Sequence, residues 1–290
     1  MTTCPLCGSA ATRGVFSRLR PRSSAPTGRP TEALYGRAGP LVRCTQCGLV
    51  RQDPPADAPY SDAADPEYLD EQPGLRATFR NTLERIERHR PPPGRFLDIG
   101  CGPGLLVEEA AARGWDALGI EPSAWAVGEA QARGLNVRQS TLEELDAAGA
   151  SFDAASLADV IEHVPDPLAL MRRLYELMAP GAVVFCATPN VESAVARTLR
   201  RWWWSVLPGH IYLFSARTLA HLMREAGFEM LETTTHPKTF SVDYYVGRLV
   251  GYSSAVSTLA RRAVQAVGAG ERLITPDFRD RVAILARKPA

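Results

Sequence analysis

The chain has 290 residues, enough for one large domain and a small one at the usual roughly 100 to 200 residues per domain, which excludes a peptide hormone or a lone recognition motif. Hydrophobic residues make up 45% and charged residues 22%, and 33 Lys+Arg against 32 Asp+Glu leave a formal charge of +1, so the composition is that of a soluble globular protein and names no polyanionic partner. No apolar run approaches the roughly 18 residues that span a bilayer, and Met1-Thr-Thr-Cys-Pro has neither the basic nor the apolar part of a signal peptide, so the cytoplasm is the expected compartment.

Residues 1–60 are rich in Pro, Gly, Ser and Arg and short on helical periodicity, with a CxxC pair near each end: Cys4 and Cys7, then Cys44 and Cys47. Between residues 13 and 51, Arg13, Arg18, Arg20, Arg22, Arg29, Arg37, Arg43 and Arg51 face Glu32 alone, a charge balance able to hold phosphate groups. The plainer reading is that arginine is the default cation of the chain, since Lys238 and Lys288 are its only lysines. Residues 61–93 form a linker and helix, with Leu75, Phe79, Leu83 and Ile86 at helical spacing and Pro91-Pro92-Pro93-Gly94 ending it.

From residue 94 to the end, short apolar strands alternate with amphipathic helices, the pattern of an α/β domain with a parallel sheet covered on both faces. Strands are expected at 96–99, 117–120, 135–138, 152–157, 182–187, 230–235 and 282–286. Helices are expected over 105–113, closed by Gly114, then from the cap Ser123 to near Gly134, and from Asp166-Pro167 to Met178. Helical insertions are expected near 191–208 and 242–268.

The most informative segment is Phe96-Leu-Asp-Ile-Gly-Cys-Gly-Pro-Gly104. A glycine-rich turn after the first strand lets a ligand approach the backbone and offers it the amide groups of the following helix. Gly100, Gly102 and Gly104 make GxGxG, whereas a dinucleotide fingerprint wants glycine at Leu105. The second strand ends in Gly119-Ile120-Glu121, which places a carboxylate where both hydroxyls of a ribose can donate to it.

With these residues the sequence from about Arg95 onward resembles the class I S-adenosylmethionine-dependent methyltransferases. The resemblance extends to Gly119-Ile-Glu-Pro122, to 152–167 with Glu162-His163, to Leu177-Met-Ala-Pro-Gly181, to His210-Ile-Tyr-Leu-Phe-Ser215 and to Glu225-Ala-Gly-Phe228. It implies a Rossmann-like seven-stranded sheet whose last strand runs antiparallel. It also implies that Asp98, Gly100, Cys101, Gly102, Gly104, Glu121, Pro122 and Asp159 surround S-adenosylmethionine, with Asp98 toward the methionine amino group and Glu121 on the ribose. Ser140 stands where the family often has an Asp that meets adenine. Cys101 and Cys186 themselves read as small buried fillers.

Cys4-Pro-Leu-Cys7-Gly8 and Cys44-Thr-Gln-Cys47-Gly48 read as paired zinc knuckles, and four thiolates make a closed structural Zn2+ site that leaves no position for water. A disulfide pair or a redox CxxC is the alternative. A zinc ribbon on this fold is similar to that of nucleotide-sugar C-methyltransferases and of ribosomal RNA guanine methyltransferases, and the four-cysteine set favours the former. The function expected is methyl transfer from S-adenosylmethionine to oxygen or carbon of a small molecule, such as a nucleotide-activated sugar or a glycosylated natural product. The rivals are a ribosomal or transfer RNA methyltransferase using the basic stretch, and a non-catalytic zinc-ribbon binding protein.

A positioned histidine contributes roughly 10²- to 10⁴-fold to such a reaction when the acceptor carries a proton. His210, on the segment that in the family overlies the substrate opening, is the preferred base, and His163 is the second candidate; packing is the competing role for both. His221 is expected in solvent and His89 at a helix C-terminus. Trp202, Trp203 and Trp204 read either as an aromatic wall or membrane-surface contact or, for at least one of them, as core; the helical stretch 242–268 reads as a lid or as a packing insertion.

Overall fold

The computed structural model describes residues 3–16, 38–54, 66–146 and 151–290. Arg18, Arg20, Arg22, Arg29 and Arg37 of the basic stretch lie outside the described residues, as does the boundary expected near residue 60.

Three short strands open the chain: β1 (Thr12–Phe16), β2 (Leu41–Cys44) and β3 (Val50–Gln52), paired antiparallel in that order. They are too short to bury a core of their own. Two helices follow, α1 (Pro66–Asp70) and α2 (Gln72–Glu87); the second buries Leu75, Leu83 and Ile86, three of the four positions read from the sequence.

The large unit then alternates: β4 (Arg95–Ile99), α3 (Leu105–Ala112), β5 (Asp116–Glu121), α4 (Ala124–Ala132), β6 (Val137–Gln139), β7 (Phe152–Ala158), α5 (Pro167–Leu177) and β8 (Met178–Pro189). Ser123 and Asp166 cap α4 and α5 as their sequences imply, each side chain accepting from the backbone N–H three residues on. After α6 (Ala194–Leu199) and β9 (Tyr212–Leu213) come α7 (Ala216–Glu225) and β10 (Glu229–Thr235). The last segment holds β11 (Phe240–Ser241), α8 (Val242–Gly247), α9 (Ser254–Ala266), β12 (Leu273–Ile274) and β13 (Arg281–Arg287).

Seven strands form one sheet in the order β10-β13-β8-β7-β4-β5-β6. β4 to β8 are parallel, and β13 runs antiparallel to both β8 and β10, as the resemblance implies. The central strands are buried along nearly their whole length, from Phe96 to Ile99 and from Ala182 to Thr188, which is why they read as continuous apolar runs rather than alternating ones. β8 is longer than the apolar run at 182–187, because Met178 leaves α5 directly in extended backbone.

The small N-terminal sheet is not self-contained. β9 adds to its open edge, pairing Val50 with Leu213 and Arg51 with Tyr212. Leu41, Val50 and Leu213 then share a core with Trp203 and Val206. Among the described residues no helix is long and apolar enough to cross a membrane.

Candidate active site

The bend between β4 and α3 holds three glycines at positive φ: Gly100 (65°), Gly102 (51°) and Gly104 (79°). They differ in what surrounds them. A Cβ at Gly100 would meet Val160 Cγ2 at 2.6 Å, and one at Gly104 would meet Leu135 Cδ1 at 3.0 Å, so both are demanded by packing as well as by backbone. A Cβ at Gly102 would meet nothing within 4 Å. Gly102 therefore borders open space, so its glycine is not demanded by packing within the protein.

Glu121 ends β5 fully buried and fixes this bend. Its carboxylate accepts from Gly102 N–H (2.9 Å) through Oε2 and from Ser123 N–H (3.0 Å) through Oε1. Asp98, on β4 and 5% exposed, is pushed well above the usual carboxylate range by burial, an effect Ser156 offsets and Glu121 reinforces. None of the groups acting on Asp98 is a cation, so an ammonium group brought beside it would restore the ionised form. Ser140 donates its hydroxyl to Thr141 O (3.0 Å) and its N–H to Glu121 O (3.2 Å), while Pro122 O accepts from Gln139 Nε2 (3.2 Å). Cys101 is buried against Gly119, where burial pushes its thiol up, as befits a filler. Cys186 is buried likewise.

Beside this bend, Leu75 and Phe240 pack on Leu105, the residue that follows Gly104. The same two residues line a cavity of about 680 Å³. Its outer wall is aromatic, built by Tyr244, Tyr245, Tyr252 and Phe278, and its inner end holds Asp159, His210, Lys238 and Arg281. The stretch 242–268 divides accordingly: α8 and the turn after it form wall, while α9 turns Leu259 (72% exposed) and Val256 outward. The three tryptophans also separate. Trp203 is buried core, Trp204 lines the cavity and donates its indole N–H to Asp280 (2.9 Å), and Trp202 lies under the Arg201 guanidinium.

Asp159 follows β7 with φ 62°, and its two carboxylate oxygens are held by Lys238 and Arg281, which keep it ionised against the cost of burial. His163 and His210 meet edge to face with centroids 4.7 Å apart. Each donates Nδ1–H to a backbone carbonyl: His163 to Gly209 (2.8 Å) and His210 to Ser205 (2.8 Å). Burial and the neighbouring His163 lower His210 to about 3, so it is neutral near pH 7 and turns Nε2 as an acceptor. Ligating atoms of Glu162, His163 and His210 lie within 4.8 Å of one another. Glu162 accepts from Thr188 through Oε2. His221 pairs with Glu225 on the α7 surface, and His89 pairs with Glu232.

The four N-terminal thiols converge. Cys4, Cys7, Cys44 and Cys47 bring all sulfurs within 4.8 Å of one another, with Cys4–Cys47 and Cys7–Cys44 at 3.5 Å and no disulfide between them. A tetrahedral ion at about 2.3 Å from each sulfur needs a spacing close to this, so the set fits zinc. Gly8 and Gly48, at φ 71° and 88°, close the knuckles by donating to Cys4 and Cys44 carbonyls.

Sequence reasoning missed Lys238, Arg281 and Gln52. Lys238 carried one signal, its rarity as one of two lysines. Gln52, 1% exposed, ends β3 and reaches across to the cavity wall, where its amide Nε2 donates to the carbonyls of Leu207 (3.0 Å), Pro208 (2.8 Å) and His210 (2.9 Å).

Comparison with known proteins agrees with the fold. Residues 72–233 match a family described as a methyltransferase domain. A ubiquinone biosynthesis O-methyltransferase of Cereibacter sphaeroides is 41% identical over 102 residues, covering 33% of this chain and 41% of that protein. The corresponding Ruegeria pomeroyi protein is 33% identical over 155 residues, covering 48% of this chain and 61% of its own. The chain thus spans 40% to 61% of the length of the curated relatives it matches. Two solved structures share the fold. A SAM-dependent methyltransferase from Archaeoglobus fulgidus has TM-score 0.50 at 19% identity, covering 77% of this chain and 100% of that one. The plantazolicin methyltransferase BpumL, in complex with SAH, has TM-score 0.52 at 14% identity, covering 76% and 86%.

Proposed function

The chain belongs to the methyltransferase domain family, and from that premise we propose that it moves a methyl group from S-adenosylmethionine to an oxygen of a small acceptor held in the 680 Å³ cavity. The observation that carries this reading is the open space at Gly102, bounded by the buried carboxyls of Glu121 and Asp98. S-adenosylmethionine, when bound, supplies a sulfonium methyl that needs no further activation. Glu121 would hold the ribose while bracing the loop through Gly102 N–H, and Asp98 would pair with the amino group.

The chain's remaining task is to align the acceptor and exclude water, a contribution that reaches about 7 to 11 kcal/mol in well-oriented intramolecular reactions. The enclosed aromatic wall suits a flat or apolar body. The names of the O-methyltransferase relatives support oxygen as the atom methylated; a nucleotide-activated sugar or glycosylated natural product remains the substrate class proposed from the zinc ribbon. His210, neutral and fixed by Ser205, would orient an acceptor hydroxyl through Nε2. A conjugate acid near 3 makes it a weak proton store, so its part as base is limited to acceptors that are themselves acidic. We assign Cys4, Cys7, Cys44 and Cys47 to one structural zinc ion.

The RNA reading turns on the basic stretch: in its described part Arg43 pairs with Glu192 and Arg51 with Asp53, while Arg13 is exposed on β1. Methyl-labelled S-adenosylmethionine, incubated with the full chain and cell extract, tests the choice. Label is expected in the small-molecule fraction; label confined to RNA contradicts the proposal.

A further inference from the structure

At the inner end of the cavity two cations share one ion-paired carboxylate. Lys238 Nζ takes one oxygen of Asp159 and Arg281 Nη2 takes the other, so one carboxylate serves two cations. Burial raises Glu162 and Asp280, and it lowers Lys238 against the pull of Asp159. Asp280 already accepts from Trp204, and Glu71, farther out, accepts from Ser241 N–H and hydroxyl. His210 is neutral, and Arg248 lies over the Tyr244 ring in the aromatic wall. Arg281 Nε is buried without a hydrogen-bond partner, so the guanidinium has a donor left over. A buried donor without an acceptor in such a low-dielectric wall is costly until an oxygen joins the pair.

We propose that Lys238 and Arg281, held side by side by Asp159, form an oxyanion seat that receives an ionised oxygen of the methyl acceptor, a carboxylate or an acidic ring hydroxyl whose apolar body fills the aromatic wall. The inference rests on the reading of this cavity as the acceptor site and narrows it. An oxygen that arrives ionised has no proton to surrender. The new C–O bond forms as the C–S bond breaks, the electron pair of that bond returns to sulfur, and no base is required. This accounts for a histidine at the site that stores protons poorly. Lys238 comes from the segment after β10 and Arg281 from the first residue of β13, so the seat exists only when the sheet is complete.

The test uses the full chain saturated with SAH and two probes, nitrocatechol, whose phenolate has its own absorption band, and benzoate. Bound nitrocatechol is expected to be phenolate at a pH about one unit or more below the transition of the free probe. Benzoate is expected to compete with it if carboxylates share the seat. Lys238→Met is expected to weaken nitrocatechol about tenfold or more, and Lys238→Arg to retain binding, which separates lost charge from lost fold. SAH affinity, read by calorimetry, stays unchanged in both. The proposal is overturned if bound nitrocatechol keeps its solution transition, if neither probe binds, or if Lys238→Met loses SAH and probe in step, which would place the pair in the methyl-donor pocket. Failure of the wild-type chain to bind SAH would instead sink the methyltransferase reading, and a shifted nitrocatechol transition would still support the seat.

Discussion

The two sheets of this molecule are held by different forces. In the seven-stranded sheet, β4, β7, β8 and β13 are buried along most of their length, and the side chains of Phe96, Leu97, Phe185 and Ile284 are sealed between helices. In the N-terminal sheet, three strands of three to five residues contribute few buried side chains of their own, and four thiols stand where a core would be. Apolar burial stabilises the large unit by itself, while the small one leans on the borrowed strand β9 and the Trp203 cluster and, on the zinc assignment proposed above, would gain the rest from an ion.

The comparison also joins the sheets functionally. Gln52 belongs to the small sheet, yet its amide holds the backbone at Leu207, Pro208 and His210, which is cavity wall. The small sheet thus braces the cavity wall at 207–210 through Gln52.

The largest effect is expected from metal removal. Elemental analysis should find one zinc per chain, and chelation or Cys4→Ser should remove a binding free energy of about 10 kcal/mol or more from the small sheet. A separate early unfolding transition should appear while SAH still binds. A single unchanged transition would mean that the sulfurs hold nothing.

Gln52→Ala is a gentler form of the same cut. Three carbonyls lose their donor, at a cost of about 1 to 3 kcal/mol. Acceptor KM should rise with SAH affinity unchanged; equal loss of both would show that the two sites are not separable.

A pH dependence of stability is expected as well. His210 sits at about 3 when folded, against roughly 6.5 in an unfolded chain. Burial lowers His236 in the same direction. Both are neutral when folded, so their environment costs nothing above the unfolded value. As pH falls from about 6.5 toward 3 the unfolded chain takes up protons that the folded chain refuses, and stability is lost. Urea midpoints should fall over that range in the wild type and less steeply in His210→Gln; parallel profiles would contradict the assignment.

How far the sequence reveals this arrangement follows from the range of the forces involved. The Gly100–Gly104 bend, the caps at Ser123 and Asp166 and the two knuckles are set by residues within a few positions of each other, and all were legible. The antiparallel β13 was legible only through the resemblance. The cavity was not. Asp159, Lys238 and Arg281 meet from three separate segments, and Gln52 reaches residues more than 150 positions away. β9 is two residues long, too short for any periodicity to announce it. The 242–268 stretch was legible as helical, but which part lines the cavity depends on how α8 packs over Phe240.

The claim on which the account stands is that the bend at Gly102 and the carboxylate of Glu121 hold an adenosyl cofactor. Titration of SAH into the wild-type chain and into Glu121→Ala by calorimetry tests it most directly. The account predicts one site per chain, weakened by about 1.5 to 3 kcal/mol in the variant. Binding that ignores the substitution, or no binding to the wild type, would contradict it.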